Sequence, residues 1–159
     1  MSCTTRNEVL ELAKSKLDDL VQLTSDLIKI PSENPIGTQR DVVDFVKKYL
    51  SEAGIACEEV GCNPEHPCVV AKIGKEEGFS VILNGHVDVV PAGDRNQWDF
   101  DPFSGEITDK CILGRGTSDM KAGVAGIPVS YTHLSISVLM VLSICLLKKR
   151  MSGWFSSNN

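Results

Sequence analysis

The chain has 159 residues, 42% hydrophobic and 23% charged, with 16 Lys+Arg against 21 Asp+Glu and a formal net charge of -5. That length suits one ordinary domain and is short for two. The composition excludes general disorder and a fibrous repeat, and the acidic balance argues against nucleic acid as a partner.

Charge is unevenly spread. Residues 1–126 hold 13 basic and 21 acidic residues, whereas residues 127–159 hold no acid and only Lys148, Lys149 and Arg150 as charges. The two stretches are therefore read separately, as a domain over 1–126 and an apolar tail over 127–159. The six cysteines form no Cys-x-x-Cys pair, and the first residues show no apolar signal core. Reduced thiols in a cytoplasmic protein are the expectation. Cys62, His66 and Cys68 lie close together but fit no common zinc spacing, so a loop with two free thiols is expected there.

Apolar residues recur at helical spacing over residues 9–30 (Leu10, Ala13, Leu17, Leu20, Leu23, Leu27), which predicts an amphipathic helix ended by Pro31. A loop follows, then a second helix over about 39–53, closed by Gly54. Strand patterns follow at 55–60, 68–73 and 79–83. The last is uncharged and apolar, as in a buried central strand. Residues 105–108 and 111–113 predict a small hairpin across Asp109-Lys110. Helices followed by strands argue for an α/β layer, with helices on a mixed or parallel sheet.

The chemistry concentrates in two places. In V-I-L-N-G-H-V-D-V-V-P, residues 81–91, His86 and Asp88 stand two apart at a strand end. In extended chain that spacing puts both on one face. One imidazole nitrogen can then face a cation while Asp88 accepts the other N–H. A lone histidine at a strand end is more often structural, so this pair alone decides little. In G-R-G-T-S-D-M-K-A-G, residues 114–123, glycines permit a tight turn and Asp119 precedes a helix. Taken alone, Asp119 reads as an N-cap and Arg115 as a solvated or clamping charge.

Together with Q-W-D-F-D-P-F-S-G between them, these segments resemble the acetylornithine deacetylase / succinyl-diaminopimelate desuccinylase family and its aminoacylase and zinc carboxypeptidase relatives. The resemblance spans about residues 9–126. It implies a truncated catalytic domain of zinc-peptidase type, with two zinc ions (cobalt as a possible substitute). His86 would be a metal ligand, Asp119 a bridging ligand, and Asp88 the catalytic residue orienting His86. It implies hydrolysis of the amide bond of an N-acyl amino acid, or of a small peptide, and a homodimer for a full-length relative. It also implies a Glu-Glu pair and later ligands that are missing here, since no Asp or Glu follows Asp119. The chain as written is therefore expected to be an inactive fragment.

The likeness stops after Gly126, where Ile127-Pro128 is expected to interrupt the helix. V-S-Y-T-H-L, residues 129–134, resembles one reading frame of a transposon-end adaptor used in sequencing libraries, which implies a chimeric junction with unrelated sequence. Residues 134–147 include 11 apolar residues in 14 and precede a basic triplet, but a full membrane span needs about 20. A non-enzymatic, membrane-associated fragment is the alternative reading.

Overall fold

The computed structural model describes residues 6–74, 80–131 and 139–144. The predicted first helix is two: α1 (Arg6–Ser15) and α2 (Leu17–Ile28), broken at Lys16 (φ -106°, ψ 4°). The break follows from burial. No residue of α1 is buried, whereas Leu23, Leu27 and Ile28 of α2 are, so packing fixes the direction of α2 alone. Helix α3 (Arg40–Glu52) matches its prediction, and Gly54 closes it at φ +74°.

The strands are β1 (Cys57–Val60), β2 (Cys68–Ile73) and β3 (Ser80–Gly85). Phe79, the first residue of the predicted third strand, lies outside the described residues. The expected hairpin is reduced to a bridge between Ile107 and Ile112, with Thr108 N–H donating to the Cys111 carbonyl at 2.9 Å.

Helix α4 (Ala122–Tyr131) runs through Pro128, contrary to the predicted interruption. Proline removes one helical hydrogen bond, but Val124, Ala125 and Val129 are buried on either side of it. Their packing outweighs a cost of about 3 kcal/mol. The expected boundary after Gly126 thus falls inside a helix. Of the apolar tail segment, residues 139–144 form β4 (Leu139–Ile144), and its other residues lie outside the described ones, as do His133 and the basic triplet.

The sheet is mixed, with order β1-β2-β4-β3. Strands β1 and β4 each pair antiparallel with β2, and β4 pairs parallel with β3 over Ser80↔Leu139 to Gly85↔Ile144. Strand β3 therefore occupies an edge rather than the predicted centre, and Val81 and Ile82 are 45% and 68% exposed. Along β2 the buried residues alternate, Val69 and Ala71 facing the helices. They join Leu27, Val43, Val46, Leu50, Val87, Val124 and Ala125 in one core, so α2, α3 and α4 all contribute to the layer on that face.

One charged cluster ties α3 to β1. Arg40 grips Glu59 with two hydrogen bonds of 2.9 Å, and Lys47 donates to the same carboxylate at 2.9 Å. These hydrogen bonds hold the Glu59 carboxyl down at about 2, well below its usual 4.5. A depressed carboxylate contributes stability above the unfolded-state pKa and loses it as pH falls through the folded one. The stability advantage of the wild type over Glu59→Gln is expected to be full above about pH 4.5 and to vanish as pH drops toward 2, read by urea denaturation at stepped pH.

Candidate metal centre

Strand β3 ends at Gly85, and the chain then runs along the sheet rim beside residues 32–34. Val89 N–H donates to the Ser32 carbonyl at 3.0 Å, and Asn34 N–H donates to the Val89 carbonyl at 2.8 Å. The Ser32 hydroxyl donates to the Val87 carbonyl at 2.7 Å. These bonds hold the segment carrying His86 and Asp88 as an extra ladder beyond the sheet. The Asn34 side-chain amide then donates to Asp88 Oδ2 at 3.0 Å and fixes that carboxylate.

The imidazole of His86 faces two ways. Its Nδ1 lies 2.9 Å from the Asp88 backbone carbonyl and 3.3 Å from Asp88 Oδ1. The carbonyl can only accept, so Nδ1 donates to it. The sequence assigned the acceptor role to the Asp88 carboxylate; the backbone carbonyl is the closer partner. Asp88 Oδ1 is buried and forms no hydrogen bond of good geometry.

Asp119 arrives from the opposite wall. It sits in the turn Thr117–Lys121, entered through Gly116 at φ +87°. A side chain at Gly116 would place its Cβ 2.4 Å from Val89 Cγ1. At Gly114 a Cβ would meet Ile28 Cγ2 at 2.3 Å. The backbone thus approaches the rim more closely than any side chain permits. Asp119 itself is non-helical (φ -129°, ψ 94°), and its carboxylate lies against His86 rather than capping α4. Its Oδ1 is 3.0 Å from His86 Nε2, although the side chain is 84% exposed. All three site residues named from the sequence therefore meet at one end of the sheet.

A lone pair on Nε2 facing a carboxylate oxygen is repulsive unless a proton or a cation lies between them. The donor types, one imidazole nitrogen and one carboxylate, fit a divalent transition metal. They fit it on one side only. Among the described residues no group of three His, Cys, Asp or Glu could hold an ion. The Cys62, His66 and Cys68 loop forms no such group either, and His66 Nδ1 contacts the Gln39 amide oxygen.

The sequence reading missed two supporting residues. Asn34 lay in a segment read only as loop. Lys121 is wholly buried, and its ammonium donates to the carbonyls of Leu27 and Ile30 at 2.8 and 2.7 Å. Burial pushes its pKa down from 10.5 to about 8. Its place two residues after Asp119 was the available signal, but nothing in the pattern marks a lysine as buried. His86, Asp88, Asp119, Asn34 and Arg115 line an open cleft of about 910 Å³.

An α/β domain with a histidine and an aspartate converging at a strand end is the architecture of a metallopeptidase catalytic domain. Residues 82–130 match Peptidase family M20/M25/M40. A succinyl-diaminopimelate desuccinylase from Cereibacter sphaeroides is 43% identical over 108 residues, covering 67% of this chain and 28% of that protein. Human carnosine dipeptidase 1 shares the fold at a TM-score of 0.75 and 21% identity, over 92% of this chain and 36% of that one. The M20 family metallo-carboxypeptidase Sso-CP2 from Sulfolobus solfataricus does so at a TM-score of 0.73 and 24% identity, over 80% and 30%. The family resemblance and the α/β fold read from the sequence are borne out. The chain spans about 28% of the desuccinylase's length.

The close approach at the rim makes a sharp comparison. Gly54 and Gly116 both have positive φ, but a Cβ at Gly54 would meet nothing within 4 Å. Gly54→Ala is expected to cost about 1 kcal/mol from backbone strain. Gly116→Ala is expected to cost roughly 1–3 kcal/mol more through the clash with Val89. Urea denaturation of both variants checks the order; equal losses would contradict the packing argument.

Proposed function

We propose that this chain is the part of a metal-dependent hydrolase that provides one side of its metal centre, the complete enzyme cleaving the amide bond of N-acyl amino acids. The observation that carries this is His86 Nε2 facing Asp119 Oδ1 at 3.0 Å, with Nδ1 2.9 Å from the Asp88 carbonyl. His86 and Asp119 would hold the ion, with Asp119 able to bridge a second through its other oxygen. A bound divalent ion would polarise the amide carbonyl and acidify a water. The family resemblance makes the metal zinc, two ions in the complete site, with cobalt as a working substitute. It extends the reading to a cytoplasmic homodimer for a full-length relative.

The chain's own residues orient rather than cleave. Asp88 and its carbonyl hold His86 through Nδ1, with Nε2 toward Asp119, and Asn34 holds Asp88. No acidic residue follows Asp119, so the chain offers no counterpart of the family's Glu-Glu pair, and with it no general base. Residues 1–126 carry the hydrolase reading, and residues 127–159 are read as an apolar tail of separate origin. The desuccinylase relative supports an acyl amino acid as substrate. The dipeptidase and carboxypeptidase structures share only the fold. Among the described residues no helix is long and apolar enough to cross a membrane.

Cobalt titration of the 159-residue chain, followed by visible absorption, tests the site. Weak binding is expected, abolished in His86→Ala and Asp119→Ala and weakened about tenfold or more in Asp88→Asn. Hydrolysis of an N-succinyl amino acid is expected to be absent. Cobalt binding that survives His86→Ala would overturn the assignment, and measurable turnover would overturn the half-site.

A further inference from the structure

We propose that Arg115 is an anchor for a substrate carboxylate on the wall of the same cleft. This deepens the hydrolase reading and rests on it for the identity of the ligand, though not for the existence of an anion site.

The guanidinium groups of the described chain differ in their partners. Arg40 is paired bidentately with Glu59, and Arg95 lies 3.9 Å from Asp101. Arg115 has no acidic partner among the described residues. Its Nε is buried and makes no hydrogen bond. A buried N–H left unmade is unfavourable, and an acceptor that reached it would relieve that. The Arg115 backbone is not free to move away, because its N–H donates to the Pro102 carbonyl at 2.7 Å. Gly114 and Gly116, pressed against Ile28 and Val89, fix the chain on both sides of it.

The guanidinium also packs over an aromatic ring. Arg115 Cζ lies 5.0 Å over the ring of Trp98, whose indole N–H is committed to the Ala92 carbonyl at 2.9 Å. A guanidinium stacked on a ring keeps its donors in its own plane. The planar fork of guanidinium N–H donors matches the two oxygens of a carboxylate. The same cleft is lined by His86 and Asp119. An N-acyl amino acid carries at least one carboxylate beside its amide bond, and an acyl group such as succinyl adds another. Arg115 supplies positive charge for such a group on a wall otherwise bearing Asp88 and Asp119. Its rigid setting selects substrates with an anion at a set distance from the amide.

The test is a titration of the metal-free, chelator-treated 159-residue chain with succinate, at constant ionic strength, reading the ¹⁵N-labelled arginine Nε–H resonances. The Arg115 resonance is expected to shift saturably with succinate and not with chloride. Arg115→Gln is expected to weaken succinate binding about tenfold or more, the loss of a charge-assisted pair of bonds. Arg115→Lys, which keeps the charge but not the fork, is expected to weaken it as well. His86→Ala is expected to leave succinate affinity unchanged, and Arg115→Gln to leave cobalt binding unchanged. An Arg115 resonance that does not respond, or responds equally to chloride, overturns the anchor, and that reading needs no variant to fold. Succinate binding without cobalt binding would sink the hydrolase reading and leave the anion site standing. Cobalt binding without an Arg115 response would do the reverse.

Discussion

Much of this molecule depends on one buried ammonium. The last carbonyls of a helix have no partner within it, and they carry the negative end of its dipole. Lys121 reaches across from the turn that holds Asp119 and satisfies Leu27 and Ile30 at the end of α2. Among the described residues no carboxylate pairs with it; the carbonyl oxygens hold the charge, and burial lowers its pKa. The same lysine's backbone N–H donates to Gly116 at 2.8 Å. One residue thus closes the glycine turn and joins it to α2. The loop that grips Asp88 and Val89 starts two residues beyond Ile30. Both walls of the cleft are therefore hung from the C-terminal end of one helix.

The glycines make that arrangement possible. The turn can press against Ile28 and Val89 only because residues 114 and 116 lack a Cβ. Closeness has a chemical consequence. It brings the Asp119 carboxylate to a histidine held at the strand end, two groups 33 residues apart that no local interaction would bring together. The packing of the turn's backbone on Ile28 and Val89 sets the distance between His86 and Asp119.

The sequence made part of this legible. Helix α3 and strand β2 were readable because their apolar residues recur at 3.6 and 2, and each buries one face. His86, Asp88 and Asp119 were singled out through the family resemblance, since His86 with Asp88 alone decided little and Asp119 alone read as an N-cap. The break at Lys16 was not, since the apolar stripe continues through it, and only the exposed state of α1 shows why packing ignores that half. The continuity of α4 through Pro128 was hidden for the opposite reason: a local breaker is overruled by burial on both sides. Arg115 read as a solvated or clamping charge and Lys121 drew no reading, because a single sequence carries no mark distinguishing a buried cation from a solvated one.

The place of β4 shows which parts of the fold demand a particular sequence. Strand β4 pairs with β3 through six residues and with β2 through five, all by backbone groups. Backbone ladders accept any extended apolar segment of suitable length. The other contacts of β3 are of a different kind. A Cβ at Gly85 would lie 3.0 Å from Val124 and 3.3 Å from Met120, and Gly85 is the residue before His86. There α4 tests the strand's side chains one by one. The position of His86 is therefore set by the contact of β3 with α4 and with residues 32–34, where identity matters.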